Sequence, residues 1–367
     1  MNILHTECGL NWGGQEYRTL LEVEWLNRHG HRAWAACDPR SEMFRRGKAR
    51  GAAVLPVSMR SNADFDGLAA LWRHCRREKV EVVHTHGPKD SWMCWPLHLA
   101  GWTVVRSRHI TVPIKPGFAH GFIYRHGCRR VIATAAVIRE TLVWVNGLDP
   151  ARVDVVGEGV DLDEFSPSAD GAAFREEFGV SANAPFLGII AMMRGDKGHR
   201  YFLDAAFEVL KTHPEARFAL VGEGIGGRRV ERECRERIAA AGEEKRILMT
   251  GYRDDIPRVM AGLDLVVVAS VEVEAQSRIV PQAFATRRAV VATRVGGIPE
   301  LVEDGVNGLL APPGDGAALA AAIRRLLDDP ALRERLAAAG YATAKARLSM
   351  ERMMRDTLAV YARARVR

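Results

Sequence analysis

Glu274 and Gln282 stand eight positions apart in a stretch, residues 265–300, that reads LVVVASVEVEAQSRIVPQAFATRRAVVATRVGGIPE. The order is an apolar strand, a polar acidic loop, a helix starting near Arg278, a second short strand at 289–293 and a Gly-Gly turn. A step of eight residues is about two helical turns plus a loop residue, so both side chains can reach one bound molecule. A loop at the carboxyl end of a parallel strand that meets a helix N-terminus suits an anionic or polyhydroxylated ligand, because free N–H groups and the helix dipole point into it. A surface carboxylate and a solvated amide on an ordinary α/β unit would leave the same spacing.

Four other groups of residues can do chemistry. Arg194 and Lys197 lie in Met193-Arg-Gly-Asp-Lys-Gly198, between a strand and a helix. Two cations and several N–H donors at a helix start are suited to a pyrophosphate, although no G-x-x-x-x-G-K-[ST] loop is present. Gly13 and Gly14 follow the first strand and open a helix, where paired glycines let backbone approach a phosphate closely. They form no G-x-G-x-x-G fingerprint. His84, Thr85 and His86 follow the fourth strand and His109 follows the fifth, both places where loops of an α/β sheet line a ligand site. Two histidines at i and i+2 have no third ligand nearby in the sequence, so a metal is not expected there. His109 fits a hydrogen-bonding or proton-handling role, with a structural histidine as the competitor. The run from Gly222 to Gly227 reads as a turn beside a ligand, and Asp161-x-Asp163 lies in a connection with no apolar strand before it.

The elements that must position these residues alternate. Strands are predicted at 2–6, 32–37, 52–57, 80–84, 103–108 and 130–133, with helices at 15–28, 65–78 and 91–100 between them. Residues 153–168 are acidic, rich in turn formers and closed by proline, which marks an interdomain connection. A second series follows: strands at 186–192, 217–221, 247–250, 265–268 and 289–293, with helices at 199–212 and 229–241. Three helices, 316–327, 330–346 and 350–365, close the chain. This rhythm predicts two doubly wound parallel α/β domains in series, 1–165 and 166–349.

The 367 residues exceed one typical core, which agrees with two domains. No apolar run approaches the ~20 residues that span a bilayer, and MNILHTECG lacks the form of a signal peptide. Six scattered cysteines without a C-x-x-C pair argue for a reducing cytoplasm and against zinc or disulfides. Net charge is +7, and residues 28–130 hold 19 Lys/Arg against 7 Asp/Glu. That half is suited to anionic lipid, nucleic acid or a pyrophosphate-linked substrate; a merely Arg-rich surface is the plain alternative. The basic segment 65–79, with Trp72, Arg73, Arg76 and Arg77, and the aromatics Trp92 and Trp95 predict association with an anionic membrane face.

Taken in order, these segments resemble a retaining glycosyltransferase of family 4, with the GT-B fold, over nearly the whole length. The residues that carry the resemblance are Gly13-Gly14, His84-Thr-His-Gly87, His109, Gly159 to Phe165, Arg194 to Gly198, Val221-Gly-Glu-Gly224, Gly251 to Asp255 and Asp264 to Ser270. Most specific are Glu274, Gln282-Ala-Phe-Ala, Val290 to Thr293, Gly296-Gly-Ile-Pro-Glu300 and Gly305-Val-Asn-Gly308. The resemblance implies two Rossmann-like domains facing across a cleft, with the last helix, 350–367, packed back on the first. It implies a UDP- or GDP-sugar donor in the second domain and a glycan or lipid-linked acceptor in the first. Lys197 and Arg194 would hold the donor diphosphate, Glu274 would support charge at the anomeric carbon, and Gln276 and Ser277 would offer backbone N–H groups. Gly222 and Tyr252 would border the nucleotide, Gln282 would meet its ribose, Gly13 and Gly14 would approach the diphosphate, and His109 would meet the sugar. No cofactor, metal or nucleic acid is implied, because fixed cations can stabilise the leaving group. An envelope polysaccharide or lipopolysaccharide pathway at the inner face of the cytoplasmic membrane is the implied setting.

Three departures qualify this. The family's second Glu is Gln282, which can accept a hydrogen bond but lacks the charge that strengthens it. Met192 stands where an arginine is usual, and Gln276-Ser277 replace an aromatic-glycine pair. A weakly catalytic nucleotide-sugar binding or regulatory protein, and an epimerase on the same fold, are the alternatives.

Overall fold

The computed structural model describes residues 1–224 and 228–366, the side chains of residues 118 and 119 excepted. The chain forms two compact units, Met1–Gly157 together with the segment from Glu351 onward, and Glu158–Met350. The first change of unit thus falls eight residues before position 165.

In the first unit the strands are β1 (Asn2–Glu7), β2 (Arg32–Cys37), β3 (Val54–Pro56), β4 (Val82–Thr85), β5 (Thr103–Arg108), β6 (Arg130–Ala133) and β7 (Val153–Val155). They pair in the order β3-β2-β1-β4-β5-β6-β7, all parallel. Strand β7 lies in the segment read from sequence as a connection. Three residues, one of them acidic, give too short a pattern to separate a strand from a turn. Its Asp154 is held by Arg130 of the neighbouring strand at 2.6 Å and by Arg363 of the final helix, Met350–Arg365, at 2.8 Å. Arg365 reaches Glu81 at 2.6 Å, so the last helix is tied to the first sheet at two places.

The second unit holds β8 (Phe186–Ile190), β9 (Arg217–Val221), β10 (Ile247–Gly251), β11 (Leu265–Val268), β12 (Ala289–Thr293) and β13 (Leu309–Ala311), in the parallel order β10-β9-β8-β11-β12-β13. Along these strands alternate residues enter two separate cores. Leu187, Ile189, Leu265, Val267 and Val291 pack on one face, and Phe186, Ile190, Val266, Val268 and Val290 on the other. A sheet covered by helices on both faces needs continuous apolar strands rather than alternating ones, which is why VVV and LGII runs occur here. The expected α/β class, two doubly wound units, holds.

Candidate active site

Both sheets reverse strand order once, at β1/β4 and at β8/β11, and Gly13, Gly14, His86, Lys197 and Glu274 lie beyond the carboxyl ends of those strands. In the second unit Lys197 follows β8 and Glu274 follows β11, the two strands on either side of the reversal. Lys197 Nζ donates to Glu274 Oε2 at 2.7 Å, and the Ser270 hydroxyl donates to the same oxygen at 2.7 Å. The pair is largely buried, with side-chain exposures of 18% and 11%.

Backbone contacts lock the two loops together. Val271 N–H donates to the Asp196 carbonyl at 2.9 Å, and Gly297 N–H donates to the Glu274 carbonyl at 3.0 Å. Gly198 (φ +70°) caps the helix His199–Leu210, and a Cβ there would strike the Ala269 carbonyl. Gly296 (φ +53°) passes so close to the Glu274 carbonyl that a Cβ would collide with it. Each glycine therefore supplies both a left-handed backbone and the missing side chain that lets the loops meet.

Arg194 sits differently from Lys197. Its guanidinium grips Asp196 at 3.0 and 2.7 Å, and its side chain is 47% exposed. Two residues of the same loop thus share out the cation's charge, which leaves Lys197 as the more deeply set positive group. Gln276 is also engaged: its Oε1 accepts from the Glu158 N–H at 2.8 Å and its Nε2 donates to Glu300 at 3.2 Å. Ser277 is buried just ahead of the helix Ile279–Ala285. Gln282, on that helix, is 7% exposed, and its Oε1 has no hydrogen-bond partner among the described residues.

Beyond β9 and β10, Gly222 N–H donates to the Gly251 carbonyl at 2.9 Å, which sets half-exposed Tyr252 at the same edge of the sheet. The rest of the glycine run, residues 225–227, lies outside the described residues. His199, absent from the sequence reading, opens the helix after Gly198, and burial pushes its pKa down to about 4. The Gly-His step at a helix start was the available signal. Asp161 is a turn former: its side chain accepts from the N–H groups of Asp163 and Glu164.

In the first unit Gly13 is the extended cap of the helix Gly14–Arg28, and Gly14 is exposed at its start. Beside them Glu7, at the end of β1, accepts from Gln15 Nε2 at 2.7 Å and from Gly9 N–H at 3.0 Å. Burial first, then the charges of Asp90 and Glu16, pushes its pKa up to about 8. Sequence gave no sign of this, since a strand-terminal Glu reads as a solvated one.

The histidine reasoning needs correction. His84 and His86 do have further potential ligands nearby: His5 from β1 and Glu22 from the first helix offer atoms within 4.8 Å of one another and of theirs. These come from positions far away in sequence, so spacing could not reveal them. His109 joins the group through its Nε2, 3.2 Å from His86 Nδ1. Burial lowers the pKa of all these rings, that of His5 to about 3. The aromatics singled out for a membrane face are half-buried and pack on neighbouring rings. Trp92 and Trp95 pack around Phe122, and Trp72 meets Trp102 edge to face at 4.9 Å. Among the described residues no helix is long and apolar enough to cross a membrane.

Two Rossmann-like units, each with one strand-order reversal, define the GT-B class, and known proteins similar to this chain agree. The profile "Glycosyltransferase Family 4" matches residues 12–164, and "Glycosyl transferases group 1" matches residues 184–329. Similarity extends to D-inositol 3-phosphate glycosyltransferase of Corynebacterium kroppenstedtii, 30% identical over 54% of this chain and 46% of that one. The lipopolysaccharide core biosynthesis mannosyltransferase LpsB of Rhizobium meliloti is 32% identical over 60% of this chain and 65% of its own. The matched part thus spans roughly half to two-thirds of these relatives. The crystal structure of HepE from Anabaena in complex with UDP superposes with a TM-score of 0.85, at 22% identity, over 99% of this chain and 100% of that one. The chain belongs to the group 1, family 4 glycosyltransferases.

Proposed function

We propose that this protein transfers a hexosyl group, with retention, from a nucleotide diphosphate sugar to a glycan or lipid-linked acceptor. The observation that carries the reading is the Lys197–Glu274 pair, set at the strand-order reversal and held by Ser270. In the transfer the bond from the anomeric carbon to the phosphate oxygen breaks and a bond to the acceptor oxygen forms on the same face. The acceptor's proton passes to the departing phosphate oxygen. Lys197, assisted by Arg194, neutralises the charge that grows on the diphosphate; Glu274 offsets the positive charge growing at the anomeric carbon. The cations do this without a divalent ion, so activity persists in a chelator.

Gln282, buried with an unsatisfied acceptor, is the group assigned to the ribose, after a small rotation of its amide. Gly222 and Tyr252 border the nucleotide, while backbone N–H groups at Gln276 and Ser277 face the sugar and phosphates. Gly13, Gly14 and His109 are the first unit's candidates for contact with the donor. UDP as the nucleotide draws support from the HepE complex, and an envelope or lipopolysaccharide acceptor from the Rhizobium relative. The exposed cations Arg73, Arg76 and Arg77 on the helix Phe65–Arg77 support contact with an anionic cytoplasmic membrane face, tested by salt-sensitive binding to anionic liposomes.

The deciding experiment measures nucleotide release from a panel of nucleotide sugars, with acceptor present, for the native chain and for Glu274→Ala. Release that depends on acceptor and collapses in the variant supports transfer. Binding without turnover would favour the regulatory reading that Gln282 and Met192 motivate, and product without acceptor would favour an epimerase. Turnover untouched by Glu274→Ala would remove Glu274 from the site.

A further inference from the structure

Four imidazoles of the first unit, those of His5, His84 and His86 buried and that of His109 half-buried, form one chain that the transfer reaction does not by itself explain. His5 Nδ1 lies 3.0 Å from His86 Nε2, and His86 Nδ1 lies 3.2 Å from His109 Nε2. At the other end the Tyr361 hydroxyl, from the final helix, lies 2.7 Å from His84 Nδ1 and 3.5 Å from His5 Nε2. His84 Nε2 is 2.8 Å from the Ser107 hydroxyl. Behind them Glu22 is ion-paired with Arg18 at 2.7 Å, and its Oε2 lies 3.7 Å from His5 Nδ1 and 4.0 Å from His84 Nδ1.

A neutral imidazole donates from one nitrogen and accepts at the other, so a chain of neutral rings has only two polarities. Burial keeps all four rings neutral near pH 7. A carboxylate can only accept, and Glu22 faces two nitrogens, His5 Nδ1 and His84 Nδ1. Protons on both of those atoms close the chain in a single direction. His84 Nδ1–H donates to the Tyr361 oxygen, and the Tyr361 hydroxyl donates to His5 Nε2. His5 Nδ1–H then donates to His86 Nε2, and His86 Nδ1–H donates to His109 Nε2. The opposite polarity would turn two lone pairs toward a buried carboxylate, where the low local dielectric makes the mismatch costly.

We propose that Glu22, His5 and His86 are positioning residues that fix His109 as its Nδ1–H tautomer, so that the ring offers a donor, not an acceptor, to a sugar hydroxyl. The use of that donor rests on the role given to His109 above; the tautomer is a property of the unliganded chain. A metal ion is the competing use of the same atoms. It is disfavoured because each ring nitrogen of His5, His84 and His86 already has a partner, and the Tyr361 hydroxyl occupies the position on His84 Nδ1 that an ion would take.

The test is a long-range proton–nitrogen correlation spectrum of the full chain with labelled histidine, near neutral pH and without ligand, assigned by the peaks lost in His109→Gln. The expected spectrum has a protonated Nδ1 and a bare Nε2 at His109. In Glu22→Gln, whose amide can donate to His5 Nδ1, the His109 proton moves to Nε2. A proton on Nε2 in the native chain overturns the proposal even if the variant fails to fold. So does an unchanged Nδ1–H in folded Glu22→Gln, or stoichiometric zinc in protein purified without chelator. No donor, acceptor or turnover enters the measurement, so a failed transferase assay and a failed tautomer assignment are separate results.

Discussion

Lys197→Met and Glu274→Gln separate two jobs that one ion pair conceals. In the unliganded chain Lys197 Nζ sits 2.7 Å from Glu274 Oε2, with neither group fully exposed. At that distance and an effective dielectric of ~20 the Coulomb attraction is about 6 kcal/mol. Desolvation of the two ions offsets most of it, which leaves about 1–2 kcal/mol for a pair so little exposed. A diphosphate oxygen has to replace Glu274 as the partner of Lys197, so the bound donor forgoes that amount. Glu274→Gln removes the competitor and also weakens the contact to the sugar, about 1 kcal/mol. Donor Kd is therefore expected to stay level or tighten by up to roughly fivefold, while kcat falls about 100-fold. Lys197→Met removes a charged donor worth about 1.5–3 kcal/mol, so donor Kd weakens by roughly 10- to 100-fold and kcat falls as well. Calorimetric titration with UDP and with UDP-sugar, beside steady-state nucleotide release, reads both numbers. A donor Kd that weakens tenfold or more in Glu274→Gln, or stays unchanged in Lys197→Met, would refute the assignment of Lys197 to the diphosphate.

Three further outcomes are expected. The buried histidines are neutral in the folded chain and ordinary when unfolded, so protons bind the unfolded state preferentially below about pH 6.5. Each such group then costs up to about 1.4 kcal/mol of stability per pH unit until its own lowered pKa is reached, near 3 for His5 and near 4 for His199. Urea unfolding between neutral and acidic pH measures this, and a flat profile contradicts the burial argument. Gly198→Ala forces a left-handed alanine against the Ala269 carbonyl and should cost about 2–4 kcal/mol, read as a lower Tm together with weaker diphosphate binding. Gln282→Glu restores a charged acceptor and is expected to tighten UDP binding by roughly tenfold while lowering the Tm of the unliganded chain; an unchanged Kd would remove Gln282 from the ribose site.

The sequence by itself determined the class of this protein and the places of its candidate site residues. Continuous apolar strands such as Leu265–Val268 and Ala289–Thr293, spaced by helices, admit only a parallel sheet covered on both faces. The strand-to-loop transitions then mark the carboxyl ends where Lys197, Glu274 and His109 lie. These are local signals, carried by periods of a few residues and by glycines at loop ends. Tertiary structure alone decided the partners. Strand order brings His5 to His86 across 81 positions, and the final helix brings Tyr361 to His84 across 277. Packing set Trp92 and Trp95 against Phe122, and short-range pairing drew Arg194 onto Asp196 while Lys197 reached Glu274. Strand β7 likewise took form only beside β6, because three residues hold too little pattern to declare themselves. Side-chain partners depend on which elements become neighbours and on charge balance inside the packed unit, and neither is written in the periodicity of a single segment.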